Sequence, residues 1–180
     1  MIATLFGKKR ISEDKLANVF VNALLELVDR GFVNVVGELK EAPEFEVAPD
    51  IEQENEAPFL LIVLAGNLME AKRQLPPGTD VRLASLVVSK FSHATGSRAM
   101  DIEQRIGRLQ GSMSRLNAPS KNTVYAMSKA VFHQYDLFPF QKAYFREQRV
   151  PDPIILKRMN ALMAYFLWDW EEFHENYRIG

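Results

Sequence analysis

The chain has 180 residues, 47% of them hydrophobic and 25% charged, with a net charge of −1, which is the balance of one folded globular unit with enough apolar material for a core. It contains no cysteine, so disulfides, thiolate metal sites and cysteine nucleophiles are excluded. The near-neutral total gives no global attraction to nucleic acid or to an anionic membrane.

The opening "MIATLFGKKR" places apolar residues before basic ones, the reverse of a secretory signal, and a cytoplasmic location is expected. From Ser12 the pattern turns helical. Ser12 is a side-chain cap, Glu13 and Asp14 suit the positive end of a helix, and Leu16, Phe20, Ala23 and Leu27 recur at 4-3-4 spacing. This helix is expected to end near Gly31 or a little beyond. Between Glu38 and Glu56 there are eight acids and one lysine, so residues 38–57 read as an exposed acidic connection, with a short strand or hairpin over 32–47 as the minor alternative.

Pro58 fits the first turn of a second helix, whose apolar run "APFLLIVLAG" is far short of the roughly 20 residues that span a bilayer and leaves little room for a wet face. After "QLPPGTD" a third helix carries Val81, Leu83, Leu86, Val87, Val88 and Phe91. A fourth begins near Ser97 with a narrow seam of Ile102, Ile106, Leu109, Met113 and Leu116, and a fifth carries Val124, Met127, Val131 and Tyr135. A short aromatic helix follows in "DLFPFQKAYFREQRV", and "PDP" opens the last helix, expected to run unbroken from Asp152 to Tyr177. The predicted architecture is all-α, a single-domain bundle of six or seven helices.

The last helix carries "FLWDWEEFHENY", with both tryptophans, the four acids Asp169, Glu171, Glu172 and Glu175, and His174. At 100° per residue, Ile155, Met159, Leu162, Met163, Phe166, Trp170, Phe173 and Tyr177 share one face, the expected core side. Trp168 falls on the back, with Ala161, Ala164 and Tyr165, which makes this patch a candidate interface. Glu171 and His174 have the Glu-x-x-His spacing that di-iron carboxylate bundles use in pairs, but no second pair exists in the chain. A metal site could instead gather His93, His133, Glu171 and His174 through tertiary folding, although no local ligand spacing supports it. No cofactor is otherwise expected.

The fourth helix has a second face of Gly107, Gly111 and Ser114, a small-residue surface suited to close packing by another backbone, within the chain or in a dimer. Its flank carries Arg98, Arg105, Arg108 and Arg115, a row able to track phosphates. Asp101 and Glu103 oppose that use, and the expected fate of the row is neutralisation by the acidic connection, within one chain or between subunits. No phosphate loop, nucleophile elbow or kinase signature is present, and no catalytic set is assigned. The function expected from these features is protein association, by self-association or with a protein partner. A metal-binding bundle or metalloenzyme is the first alternative and nucleic-acid binding through the arginine row the second; no membrane role is expected.

Overall fold

The computed structural model describes residues 7–180. The apolar start read against a secretory signal lies, in its first six residues, outside this range. Among the described residues are eight α-helices and two three-residue strands: β1 (Lys9–Ile11), α1 (Glu13–Glu41), α2 (Ala57–Gln74), α3 (Thr79–Thr95), α4 (Ala99–Asn117), α5 (Thr123–Gln134), α6 (Ala143–Gln148), α7 (Pro153–Ala164), α8 (Trp170–Asn176) and β2 (Tyr177–Ile179). The all-α bundle is thus confirmed. None of these helices is long and apolar enough to cross a membrane.

Helix α1 starts where Ser12 accepts a hydrogen bond from the Lys15 N–H at 3.2 Å. It does not stop at Gly31. The Phe166 ring lies against that glycine, and a Cβ there would sit 2.8 Å from Cζ, so Gly31 makes room for an aromatic ring inside the helix. The buried stripe continues through Phe32, Val35, Val36 and Leu39, and the helix reaches Glu41, about 43 Å long. The strand alternative over 32–47 is therefore overturned, and the non-helical part of the acidic connection is confined to residues 42–56. Leu27, placed on the core face from its spacing, is exposed; Leu24 and Val28 take that face instead.

Helix α2 is central, contacting α1, α3, α4 and α5. Phe59, Ile62, Val63, Leu64 and Ala65 are all fully buried, which is why its sequence has no wet side. Gly66 lets α5 approach: a Cβ there would lie 2.5 Å from the Met127 sulfur. The free N–H of Phe59, in the first turn of α2, donates to the Tyr135 hydroxyl at 3.2 Å, and that hydroxyl donates to the Asn55 carbonyl at 2.7 Å. Burial pushes the Tyr135 phenol above its ordinary value of 10, with the Glu56 charge adding to the shift and the Phe59 N–H opposing it.

The last helix of the sequence reading is two helices. Asn67, fully buried on α2, donates from Nδ2 to the carbonyls of Val63 at 2.8 Å and Phe166 at 2.7 Å, and accepts from the Trp168 N–H at 2.8 Å on Oδ1. Helix α7 closes with short bonds from Tyr165 to Leu162 and from Phe166 to Met163. Asp169 then caps α8, accepting from the Glu172 N–H at 2.9 Å. The break has no proline or glycine; a side chain on another helix makes it, and it also raises the helix count above six or seven. Chain direction after α8 brings β2 parallel to β1, with Lys9 opposite Tyr177 and Ile11 opposite Ile179.

Replacing Asn67 by leucine strands the Phe166 carbonyl and the Trp168 N–H in the core and should lower the urea unfolding free energy by about 2–5 kcal/mol. A loss under about 1 kcal/mol would show that the amide does not hold the break. Tyr135 supplies a pH test. Its raised folded pKa means that the folded chain holds this proton more tightly than the unfolded chain, so its contribution is complete below pH 10 and is lost as pH climbs above that value. Wild type should lose stability more steeply than Tyr135→Phe above pH 10, and parallel slopes would contradict the assignment.

Candidate docking groove at the terminal strands

The residues of "FLWDWEEFHENY" do not form one face of a helix, but several of them line one groove. It has a volume of about 610 Å³ and runs between the start of α1 with β1 and the α8 region with β2. One wall carries Lys9, Arg10 and Lys15, and the other Asp169, Glu172 and Asn176. The floor is apolar, from Leu16, Val19, Trp168, Phe173 and Tyr177.

Each wall has a local cause. The first-turn acids of α1 are drawn away from the groove: Arg82 of α3 grips Glu13 through both its Nε and its NH2, at 2.8–3.1 Å, and Lys90 of α3 meets Asp14 at 2.9 Å. The Arg82 hydrogen bond holds the Glu13 carboxyl below its ordinary value. Lys9, Arg10 and Lys15 consequently have no carboxylate partner among the described residues. On the far wall Asp169 is committed as the cap of α8, and Asn176 bonds back to the Glu172 carbonyl at 2.9 Å.

Trp168 is the residue the structure moves most. It is half-buried, not displayed on the back of a helix, and its ring packs 5.3 Å from Phe20 of α1 and 6.4 Å from Trp170. The covering element is thus α1 of the same chain. Its indole Nε1 is buried with no hydrogen-bond partner, as is that of Trp170. Ala161, Ala164 and Tyr165 stay exposed, Tyr165 at 78%.

The metal candidates are not brought together. His93 is exposed on α3 with Nδ1 3.1 Å from the Ser89 carbonyl, His133 lies edge-on to Phe138 on the far side of α5, and His174 sits against Trp170 and Phe173 on α8 beside exposed Glu171. Among the described residues no three His, Asp or Glu side chains converge as an ion site. Partial burial, reinforced by the Arg149 charge and opposed by Asp136, lowers the His133 pKa.

Among the described residues, none packs closely on the two glycines of the small-residue face of α4. Gly107 has open space where a Cβ would be, and Gly111 meets only the guanidinium of Arg115 at 3.5 Å. Ser114 lines a separate cavity of about 360 Å³ with Arg73, Asn117 and Lys121. Close packing inside the chain is therefore corrected; the intimate glycine contact is at Gly66. Neutralisation of the arginine row by the acidic connection within the chain is also corrected. Arg98 pairs with Asp101 at 2.9 Å on its own helix, Arg105, Arg108 and Arg115 have no carboxylate partner among the described residues, and Glu44 and Glu46 of the connection bind Arg158 and Arg146 instead.

The groove was only half visible in the sequence. Lys9, Arg10, Lys15 and Val19 precede or open α1 and carry no motif. The Asp169-x-x-Glu172 spacing is that of a helix cap and is the one local signal for the break that shapes the far wall. No protein-family model, curated protein or solved structure matches the chain.

The unpartnered indole N–H makes Trp168 separable into ring and polar parts. Trp168→Phe should hold stability within about 1 kcal/mol of wild type, because it removes an unsatisfied donor with little volume. Trp168→Ala should cost roughly 2–4 kcal/mol through the gap left beside Phe20. Equal losses in thermal melts of the two variants would show that the N–H has a partner.

Proposed function

We propose that this protein works by protein association and that the groove between the β1–α1 and α8–β2 walls is its docking surface. The observation that carries this reading is an apolar floor set between two walls of opposite charge, with no group of buried polar side chains converging on it. A site built for a small polar substrate places convergent polar groups at its base. Here the Trp168 indole nitrogen is buried without a hydrogen-bond partner, in a ring that packs against Phe20 and Trp170. An apolar centre with a charged rim is the anatomy of a protein interface.

The two other readings have less support. Among the described residues no converging ligand set backs a metalloenzyme. On α4, Asp101 stands within the arginine row and binds Arg98, so a phosphate backbone following that row would meet a carboxylate.

A photo-crosslinking amino acid at position 19, which is 43% exposed at the groove, tests the reading against the same group at position 33, which is 46% exposed on the same helix. In living cells, position 19 should give discrete protein adducts and position 33 none, and Val19→Asp should compete poorly with the unmodified chain for the same adducts. Matching patterns from the two positions, or no adduct from either, would end the proposal.

A further inference from the structure

The segment between α1 and α2 is acidic and yet firmly held. Phe45 and Ile51 are buried, the N–H groups of Glu46 and Val47 donate to the Phe140 carbonyl at 2.9 and 3.2 Å, and the Asn55 carbonyl accepts from Tyr135. These anchors turn a fixed set of side chains outward. Val47 is 60% exposed, and Asp50, Glu52 and Glu54 are exposed with no cation partner among the described residues. Their neighbours Glu44 and Glu46 are already taken by Arg158 and Arg146. The chain therefore carries one preformed ridge with an apolar side chain followed by three free acids. It also carries one groove with apolar lining beside three cations, Lys9, Arg10 and Lys15, that have no side-chain carboxylate partner among the described residues.

We propose that the groove receives residues 47–54 of a second copy of this chain. Val47 of one copy rests on the floor at Val19, and Asp50, Glu52 and Glu54 lie along Lys9, Arg10 and Lys15. The proposal rests on the groove being a protein-docking site and names its occupant. Asp169 and Glu172 on the opposite wall repel the acids, so the ridge is confined to the β1–α1 side and its orientation is set. Because the ridge is already ordered by Phe140 and Tyr135, little conformational freedom is lost on docking. The contact depends on rim charges, so it is weak, reversible and sensitive to salt.

Sedimentation velocity on the full chain tests this. Wild type should associate reversibly with concentration, and raising salt from about 50 mM to about 500 mM should weaken the association at least tenfold. Reversing the ridge (Asp50→Lys, Glu52→Lys, Glu54→Lys) and reversing the wall (Lys9→Glu, Arg10→Glu, Lys15→Glu) should each give a monomer with an unchanged circular dichroism spectrum. An equimolar mixture of the two variants should associate again, because each supplies the complement that the other needs. Reversing Arg105, Arg108 and Arg115 on α4 should leave wild-type association intact. A monomeric wild type, a ridge or wall variant that still associates, a mixture that stays monomeric, or loss of association on changing α4 would each overturn the proposal. A monomeric wild type that still yields the position-19 adducts to other proteins would leave the groove a docking site with a different occupant.

Discussion

The carboxamide of Asn67 makes three hydrogen bonds in the middle of a helix whose other inward side chains are apolar, and the path of the last quarter of the chain depends on it. An amide carries N–H donors and an acceptor oxygen on one planar group, and the broken helix presents it with one carbonyl and one N–H to match. A polar group so deeply placed is tolerable only when every partner is present, so the amide and the break require each other. With the chain turned at this point, the Phe166 ring reaches Gly31, Trp168 reaches Phe20, and Asp169 is released to cap α8. The meeting of β2 with β1 follows from that turn.

Charge is handled by a similar separation of committed from uncommitted groups. Helix α3 takes the acids at the start of α1, Arg158 and Arg146 take the first acids of the connection, and Asp101 takes Arg98. Among the described residues, the cations without a carboxylate partner include Lys9, Arg10 and Lys15 at the groove and Arg105, Arg108 and Arg115 on α4, and the anions without a cation partner include Asp50, Glu52 and Glu54 before α2 and Asp169 and Glu172 on the far wall. A chain whose total charge is −1 thus has strongly polar surfaces that the sum conceals. Individually such exposed charges stabilise the fold very little, which leaves them free to act on encounter with other molecules.

Much of the bundle was legible from spacing and caps. Ser12 accepts the hydrogen bond expected of a capping residue, Pro58 and Pro153 sit in first turns, and Ile102, Ile106 and Met113 are buried as their seam implies. Misreadings arose where a distant side chain overruled a local preference. Gly31 looked like a terminator because glycine usually ends helices, yet here the missing Cβ is filled by an aromatic ring from 135 residues later in the chain. Between Phe166 and Asp169 no proline or glycine marks the break, the cap spacing of Asp169 and Glu172 being the only local sign of it, and an angular projection carried through that stretch puts Trp168 on the wrong side. Ile155, Met159, Met163, Phe166, Trp170 and Phe173 were nevertheless assigned to the core and are buried, because each half of the stretch keeps its own apolar face. For the groove, the α8 half contained conspicuous residues and the β1 half ordinary lysines and arginines, and pairing of segments so far apart leaves no periodic trace.

That separation along the chain has a consequence during synthesis. Residues 9–19 leave the ribosome early and residues 168–177 more than a hundred positions later, so one wall of the groove waits throughout translation without the other. The parallel pairing of β1 with β2 closes a loop of this size at an entropic cost that grows only with the logarithm of its length, and a bundle already folded between the two segments shortens the search. Helices α1 to α5 can assemble around α2 while the groove does not yet exist. Under the proposed reading, a nascent chain has no completed groove to offer its neighbours on the same messenger, and docking there waits until the chain has turned at Asn67.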